Sequence, residues 1–151
     1  MIRVVLVNPE IPGNTGNIGR SCVAAGAELH LVGRLGFDIS ERRLKRAGMD
    51  YWQKLTVVRH GTIGDFLAAA PPADVLAFSA EGEKIHWDAP YGPDCWLVFG
   101  SESSGLPAEL RELWKERTYR VPMEPGARSL NLSSSAAIVL YEAKRRLALE
   151  R

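Results

Sequence analysis

Three loops of the sequence combine glycine, proline and small polar residues in a way that suits the binding of a small polar molecule. They span residues 8–20, 99–107 and 121–132. Each follows a short apolar run that predicts a buried strand, and in open α/β sheets ligands bind beyond the carboxyl ends of the strands. Glycine lets the backbone approach a ligand closely, and the free N–H groups at a helix start can bind a polar group.

Each loop taken alone also has a simpler interpretation. In the third loop Ser129 and Asn131 could act only as helix caps, and the second loop, with Glu102, could be an ordinary polar turn. The first loop resembles a nucleotide fingerprint, but its glycines are spaced G-x-x-G-x-x-G and no Gly-Lys-Ser/Thr follows. The second predicted strand ends in Gly33-Arg34 without an acidic residue for a ribose, which disfavours ordinary NAD or ATP binding.

Strands and helices are predicted to alternate along the whole sequence. The strands are apolar throughout, which is typical of a parallel sheet covered on both faces. They are Ile2–Val7, Leu29–Val32, Leu55–Arg59, Val75–Phe78, Trp96–Phe99 and Thr118–Val121. The predicted helices are Asn14–Ala27, Asp38–Ala47, Thr62–Ala70, Pro107–Glu116 and Leu132–Leu149. The predicted fold class is therefore α/β, a parallel-sheet three-layer sandwich, and the 151 residues are expected to form one domain.

The composition is that of an ordinary globular protein with little charge bias. Hydrophobic residues make up 46% and charged residues 25%, and the net charge of +1 disfavours a large basic face for nucleic acid. Cys22 and Cys95 lack metal-ligand spacing and are expected to be buried free thiols, so no metal site is predicted. The sequence opens on a strand and has no apolar run of membrane-spanning length, so a cytoplasmic location is expected.

Taken together, the three loops resemble the motifs of the SPOUT-class RNA 2′-O-ribose methyltransferases. The segments that carry the resemblance are Asn8–Arg20, Leu97–Pro107 and Val121–Leu132. Their order and spacing match the small, single-domain members of the class, and the similarity covers nearly the whole chain. Within the class, the sequence is most similar to the enzymes that methylate the ribose of the wobble nucleotide of tRNA, a cytidine or uridine at position 34.

The resemblance implies a topology and a cofactor that periodicity does not indicate. Members of the class have a deep C-terminal trefoil knot, although general topology rules favour an unknotted chain. They bind S-adenosylmethionine in the knot through loops that correspond to Phe78–Ala80, Phe99–Gly105 and Val121–Leu130. At Gly100, a side chain is expected to displace the adenosyl group. The implied cofactor-binding residues are Phe78, Gly100, Val121, Ser129 and Leu130.

Methyl transfer to a ribose 2′-oxygen needs alignment of the reacting atoms and control of the charge that develops on that oxygen. No His, Cys or carboxylate in the motifs stands out as a general base, and the resemblance implies that Arg20 is the catalytic residue. A guanidinium is a poor literal base, because neutralising it at pH 7 costs roughly 9 kcal/mol. Arg20 is therefore expected to stay charged and to stabilise the developing alkoxide or bind the adjacent phosphate. A solvated helix arginine is the alternative.

The remaining implied contacts involve RNA and a second subunit. The basic run at residues 42–46 is ordinarily a solvated face, but the resemblance implies that Arg43 and Arg46, on one helix face, contact tRNA. Tyr141 either packs in the core or, as the resemblance implies, helps to place the nucleoside. The class works as a homodimer, and Leu132–Leu149 is apolar on more than one side, as burial against a second subunit requires.

Three functions are weighed. The first is S-adenosylmethionine-dependent 2′-O-methylation of nucleotide 34 of tRNA, with another tRNA or rRNA site as a variant of it. The second is an RNA-binding module of the same fold without catalysis, against which Arg20 and the intact Ser129–Asn131 segment count. The third is a nucleotide-binding regulator with a flavodoxin-like sheet, against which the glycine spacings count. No site role is assigned to His30, His60 or His86.

Overall fold

A parallel sheet forms the centre of the protein. The computed structural model describes residues 1–40 and 50–150. Its strands are β1 Arg3–Val7, β2 Glu28–Val32, β3 Val57–His60, β4 Val75–Phe78, β5 Lys84–Ile85, β6 Trp96–Phe99 and β7 Thr118–Arg120. In the described part these seven strands lie in the order β3-β2-β1-β6-β4-β7-β5, and each neighbouring pair is parallel. The predicted parallel α/β sheet is confirmed.

Helices cover both faces of this sheet. They are α1 Pro12–Ala25, α2 Ile63–Ala69, α3 Ala108–Leu113 and α4 Leu132–Leu149. Short 3-10 turns lie at Asp50–Lys54, Pro72–Asp74, His86–Asp88 and Lys115–Arg117. Successive residues of β1 point to opposite faces: Leu6 joins the core beneath α1 and α4, and Val5 joins the core beneath α2 and α3. Full burial of a side chain such as Leu6 contributes about 1.5–3 kcal/mol to stability. The three layers agree with the predicted sandwich.

Most predicted elements are confirmed, and the differences lie mainly at element ends. Helix α1 begins at Pro12 rather than Asn14, because proline suits the first helical position, where an N–H has no partner anyway. Gly26 ends α1 in the left-handed conformation, with φ 70°. The helix predicted to reach Glu116 ends at Leu113, and the two-residue strand β5 was not predicted. The segments whose predicted bounds coincide with the structure are Val75–Phe78, Trp96–Phe99 and Leu132–Leu149.

Some predictions fall beyond the described residues or concern single side chains. The predicted basic helix, with Arg43 and Arg46, lies outside the described residues. Cys22 and Cys95 are buried free thiols, as predicted, and burial raises their pKa to about 12 and about 11. Across residues 1–40 and 50–150, no helix is long and apolar enough to cross a bilayer. Over the same ranges, no three His, Cys, Asp or Glu side chains are grouped to hold a metal ion.

Strand β7 lies between β4 and β5, although β4 and β5 are joined only by residues 79–83. This short connection crosses the end of β7 in direct backbone contact. The Ser79 N–H donates to the Tyr119 carbonyl at 2.9 Å, and the Arg120 guanidinium donates to the Gly82 carbonyl at 3.1 Å. A Cβ at Gly82 would lie 2.6 Å from the Tyr119 carbonyl carbon, so a larger residue at this position would push the connection off β7.

Two histidines form a buried pair on the face of the sheet that carries α2. The Nδ1 atom of His30 on β2 lies 2.9 Å from Nε2 of His60 on β3, and His30 Nε2 lies 3.2 Å from the Glu28 carboxylate. Trp96 packs edge-on against His30, and Phe66 packs edge-on against His60. Burial lowers the pKa of both histidines, so the fold favours their neutral forms.

We expect the protein to lose stability as the solution is acidified below neutral pH. The pKa of His30 and of His60 is lower in the folded chain than the value of about 6.5 in an unfolded chain, so the unfolded state binds more protons as the pH falls below that value. The free energy of unfolding should therefore decrease between about pH 7 and pH 5. Urea unfolding at several pH values between about pH 7 and pH 5 measures this decrease in the free energy of unfolding. In a His60→Gln variant the free energy of unfolding should depend less steeply on pH. A pH dependence equal to that of the wild type would show that other groups cause the loss of stability.

Candidate functional site

A cavity of about 540 Å³ opens at the carboxyl ends of β4, β6 and β7. Its walls come from the loops that follow these strands and from the start of α1. The volume lies within the range of about 300–1,000 Å³ that is usual for small-molecule sites, and the position at the carboxyl edge of a parallel sheet is where such sites form. The structure brings together around it all five residues expected at a cofactor site: Phe78, Gly100, Val121, Ser129 and Leu130.

The lining of the cavity is partly apolar and partly polar. The rings of Phe78 and Phe99 stack with their centroids 5.2 Å apart, and Val121 adds a further apolar group. Carboxylates from Glu81 and Glu102, with several serine hydroxyls, supply hydrogen-bonding groups. Such a lining suits a ligand that combines an apolar ring system with charged groups.

Gly100 is required by its own loop. A Cβ at this position would lie 2.0 Å from the carbonyl carbon of Gly105 and 2.2 Å from the nitrogen of Leu106. The loop closes there because Ser101 and Gly105 exchange two backbone hydrogen bonds, at 3.1 and 3.0 Å. The close approach of the loop to itself is therefore a physical reason for glycine at 100. The expected clash of a side chain with an adenosyl group stays a prediction.

Two glutamates connect the loop after β1 with the loop after β6. The Glu102 carboxylate accepts the N–H of Glu10 at 2.8 Å and the N–H of Ile11 at 3.0 Å. In return, the Glu10 carboxylate accepts the Ser103 hydroxyl at 2.6 Å and the Ser103 N–H at 3.2 Å. The hydrogen bonds from Ser103 lower the pKa of Glu10, because they stabilise its charged form. Each loop thus satisfies backbone N–H groups of the other.

Two asparagines extend this connection to the loop before α4. Asn14 Nδ2 donates to Glu102 Oε1 at 3.4 Å, and Asn131 Nδ2 donates to Asn14 Oδ1 at 3.1 Å. Asn131 Oδ1 also accepts the Ser133 N–H at 2.9 Å, which makes Asn131 the N-cap of α4. The predicted cap is thus confirmed at Asn131. We call the chain Glu102–Asn14–Asn131 the amide bridge. In the sequence, Glu102 and Asn14 are 88 positions apart, and Asn14 and Asn131 are 117 positions apart.

Replacing Asn131 with alanine is expected to lower the free energy of unfolding by about 1–2 kcal/mol, because the cap of α4 is lost. Asn131→Ser is the matched control, since serine is an equally good cap but is too short to carry an amide to Asn14. It should keep most of the stability. Urea unfolding of both variants measures the difference, and equal losses would locate the effect in the contact with Asn14 instead.

Arg20 and Tyr141 lie outside the residues that line the cavity. Arg20 is exposed on α1, and Tyr141 is 49% exposed on α4, so it is not a core aromatic. Burial raises the pKa of Tyr51, and the charge of Arg20 partly opposes this rise. One chain alone therefore does not bring Arg20 or Tyr141 to the cavity lining.

The sequence assigned no individual role to Glu10, Asn14 or Arg111, although all three belong to the site. Glu10 and Asn14 form hydrogen bonds between the loops, and Arg111 lines the cavity and pairs with Glu81 at 3.3 Å. Glu10 and Asn14 lie within the first motif and can form hydrogen bonds, and these two properties indicated a role in the site. Their hydrogen-bond partners could not be predicted, because they are far away in the sequence.

The SpoU rRNA Methylase family matches residues 1–141, and the chain belongs to this family. It is 43% identical over 148 residues to the tRNA (cytidine(34)-2'-O)-methyltransferase of Saccharophagus degradans, covering 97% of this chain and 96% of that one. It is 42% identical over 148 residues to the enzyme of the same name from Escherichia coli K12, covering 97% and 94%.

Solved structures agree with this family. One, described as giving structural insights into the 2-OH methylation of C/U34 on tRNA, superimposes with a TM-score of 0.90 at 43% identity, covering 98% of this chain and 97% of that chain. The SpoU methyltransferase AviRb from Streptomyces viridochromogenes, in complex with the cofactor AdoMet, gives a TM-score of 0.83 at 29% identity. That match covers 97% of this chain and 57% of AviRb. The predicted class of protein is confirmed.

Proposed function

We propose that the protein is an enzyme that methylates the ribose 2′-oxygen of nucleotide 34 of tRNA, with S-adenosylmethionine as the methyl donor. The observation that carries this proposal is the meeting of the three motif loops around one cavity, joined by the amide bridge. Similarity to enzymes named tRNA (cytidine(34)-2'-O)-methyltransferase, over almost the full length of both chains, supports the choice of substrate.

The residues around the cavity fit S-adenosylmethionine. Its adenine needs apolar contacts, which Phe78, Val121 and Leu130 offer, and its charged groups need the hydroxyls and carboxylates of the other walls, such as those of Ser129 and Glu81. When bound, S-adenosylmethionine supplies the methyl group, which leaves the sulfonium sulfur for the ribose 2′-oxygen as that oxygen loses its proton. The chain's contribution is to hold the loops in one arrangement, so that little ordering remains to be done when the substrates bind.

We assign to Arg20 the control of charge at the ribose. A guanidinium that stays protonated can donate hydrogen bonds to the oxygen that becomes negative, or to a neighbouring phosphate. The proton of the 2′-hydroxyl then passes to solvent. Arg20 is exposed, which leaves its donors accessible to RNA.

We also propose that the protein is a homodimer and that each site uses both chains. Arg20 and Tyr141 are exposed and lie outside the lining of the cavity, so a second copy is needed to complete a site that contains them. Ile138, one helical turn before Tyr141, is 41% exposed and adds an apolar group to the same side of α4. Sedimentation equilibrium tests the dimer. Mixing inactive Arg20→Ala chains with Gly100→Ala chains, whose own cavity is defective, should restore activity if Arg20 acts at the cavity of the partner chain.

The backbone is proposed to form the trefoil knot of the SPOUT class. The insertion of β7 between β4 and β5, which are joined by residues 79–83, supports this topology, as does the contact of Gly82 with the Tyr119 backbone. The cavity lies where this crossing brings residues 78–81 and 121–132 together. Since tRNA is the proposed substrate, we further propose that the protein works in the cytoplasm.

We expect reversal of the charges at Arg43 and Arg46 to abolish tRNA binding. Arg43→Glu/Arg46→Glu adds negative charge where the sequence places four cations within five residues, and it should repel the phosphate backbone. Cofactor affinity should be unchanged. Filter binding with tRNA and calorimetry with S-adenosylmethionine measure the two effects, and unchanged tRNA affinity would remove these residues from the RNA-binding surface.

Incubation with bulk tRNA and S-adenosylmethionine labelled in its methyl group, followed by mapping of the modified nucleotide, tests the proposed function directly. Label at the 2′-oxygen of nucleotide 34 is the expected result. Label on a base, or on a ribose far from the anticodon, would replace the proposed substrate. Cofactor binding without any transfer would favour an RNA-binding module.

A further inference from the structure

Tyr51 lies on the 3-10 turn Asp50–Lys54, which packs against α1. Its ring is half-buried, and its hydroxyl donates a hydrogen bond to the backbone carbonyl of Gly16. This bond turns the hydroxyl toward the helix and away from solvent. Tyr51 is therefore not presented as a platform on which a base could stack.

The face of α1 that receives this turn is made of Gly16, Gly19 and Arg20. Positions three and four apart lie on one side of a helix, so these residues are neighbours. A Cβ at Gly19 would lie 2.9 Å from the ring of Trp52 and 2.9 Å from a methyl group of Leu55. Glycine is unfavourable inside a helix, and here this close packing explains Gly19. The contact fixes the 3-10 turn, and with it the Tyr51 hydroxyl.

Helix geometry directs Arg20 toward the same point. Side chains on a helix lean toward its N-terminus, so the Arg20 side chain can reach the turn that contains Gly16, where the Tyr51 hydroxyl is held. The phenol has one proton, which it gives to the Gly16 carbonyl, and its oxygen can then only accept; a guanidinium can only donate.

We propose that Tyr51 is a positioning residue that accepts a hydrogen bond from Arg20 and holds the guanidinium toward the reacting ribose. The inference rests on the proposed function, because Arg20 needs a fixed orientation only if it acts on the substrate. Burial raises the pKa of Tyr51, and the positive charge of Arg20 partly opposes this effect of burial, as expected for a nearby guanidinium. Tyr51 itself touches neither the cofactor nor the RNA. It reduces the number of orientations available to a long and flexible side chain.

Tyr51→Phe tests this role, because it removes the hydroxyl and keeps the ring. The kcat for tRNA methylation should fall about tenfold, as expected for one hydrogen bond to a charged group, while the KM for tRNA and the Kd for S-adenosylmethionine change less than about twofold. Tyr91→Phe is the matched control, since it removes a buried hydroxyl beside His86 on a different part of the fold. It should leave kcat unchanged.

A double-mutant cycle separates positioning from a structural role. With Arg20→Lys already present, Tyr51→Phe should cause no further fall in kcat, because the guanidinium that it positions is gone. Three results would overturn the proposal. They are an equal fall in kcat in the Arg20→Lys background, an unchanged kcat in Tyr51→Phe alone, and a loss of cofactor affinity that parallels the fall in kcat. A wild-type protein that transfers no methyl group to tRNA would instead refute the proposed function and, with it, the role of Tyr51.

Discussion

Replacing Arg20 with alanine is expected to lower the kcat for tRNA methylation by about 10²–10³-fold, the usual cost of removing one donor that stabilises developing negative charge. The affinity for S-adenosylmethionine should not change, because Arg20 does not line the cavity. Single-turnover rates with saturating tRNA, together with calorimetry for the cofactor, measure the two quantities independently. Equal losses in both would mean that Arg20 supports the loop structure instead.

Arg20→Lys distinguishes the charge of this residue from its shape. Lysine keeps the positive charge but lacks the planar fork of donors, so most of the activity should still be lost if guanidinium geometry matters. Near-wild-type turnover in Arg20→Lys would rule out that geometry. Lys84→Ala is a suitable charge control, because Lys84 lies on β5 at the far edge of the sheet and hydrogen-bonds to the Glu116 carbonyl at 2.9 Å. Its removal should leave turnover unchanged.

Gly100→Ala is expected to remove most of the affinity for S-adenosylmethionine. The added Cβ would lie 2.0 Å from the Gly105 carbonyl carbon, and backbone cannot move aside as the end of a flexible side chain can. The loop must therefore open and break the paired hydrogen bonds between Ser101 and Gly105. We expect a loss of about 1–3 kcal/mol in stability, as for other overpacked positions, and a loss of at least tenfold in affinity.

The matched control for Gly100→Ala is Gly13→Ala. A Cβ at Gly13 would meet no atom within 4 Å, and the residue lies in the first turn of α1, where alanine is well tolerated. Thermal unfolding and calorimetric titration with S-adenosylmethionine should show a nearly wild-type protein. If Gly100→Ala were equally normal in both measurements, the tight closure of the loop would not be a condition for binding.

Apolar runs made the central strands of this fold predictable. Val75–Phe78 and Trp96–Phe99 are buried on both faces, and runs of this kind leave little choice of structure. Strand β5 was missed because it has two residues, one of them Lys84, and its strand pairing is with β7 alone. The start of α1 was predicted two residues late, at Asn14, because Pro12 and Gly13 suggested a loop. Proline is nevertheless well suited to the first position of a helix.

The candidate site was predictable as a set of loops but not as a set of contacts. Gly100 and Ser129 could be predicted as site residues because resemblance to a family motif implies a role for each position separately. The amide bridge could not be found in this way, since Asn14 and Asn131 are far apart in the sequence and neither implies the other. The same holds for Tyr51, whose hydrogen bond to Gly16, one helical turn before Arg20, depends on how the 3-10 turn packs on α1.

The place of β7 in the sheet also sets the order in which the protein can be completed during its synthesis. Strand β5 leaves the ribosome well before β7, its pairing partner in the sheet, so it has to wait unpaired while β6 and α3 are made. The cavity gains its last wall later still, from residues 121–132. A nascent chain therefore cannot form the complete cavity until residues 121–132 have been translated.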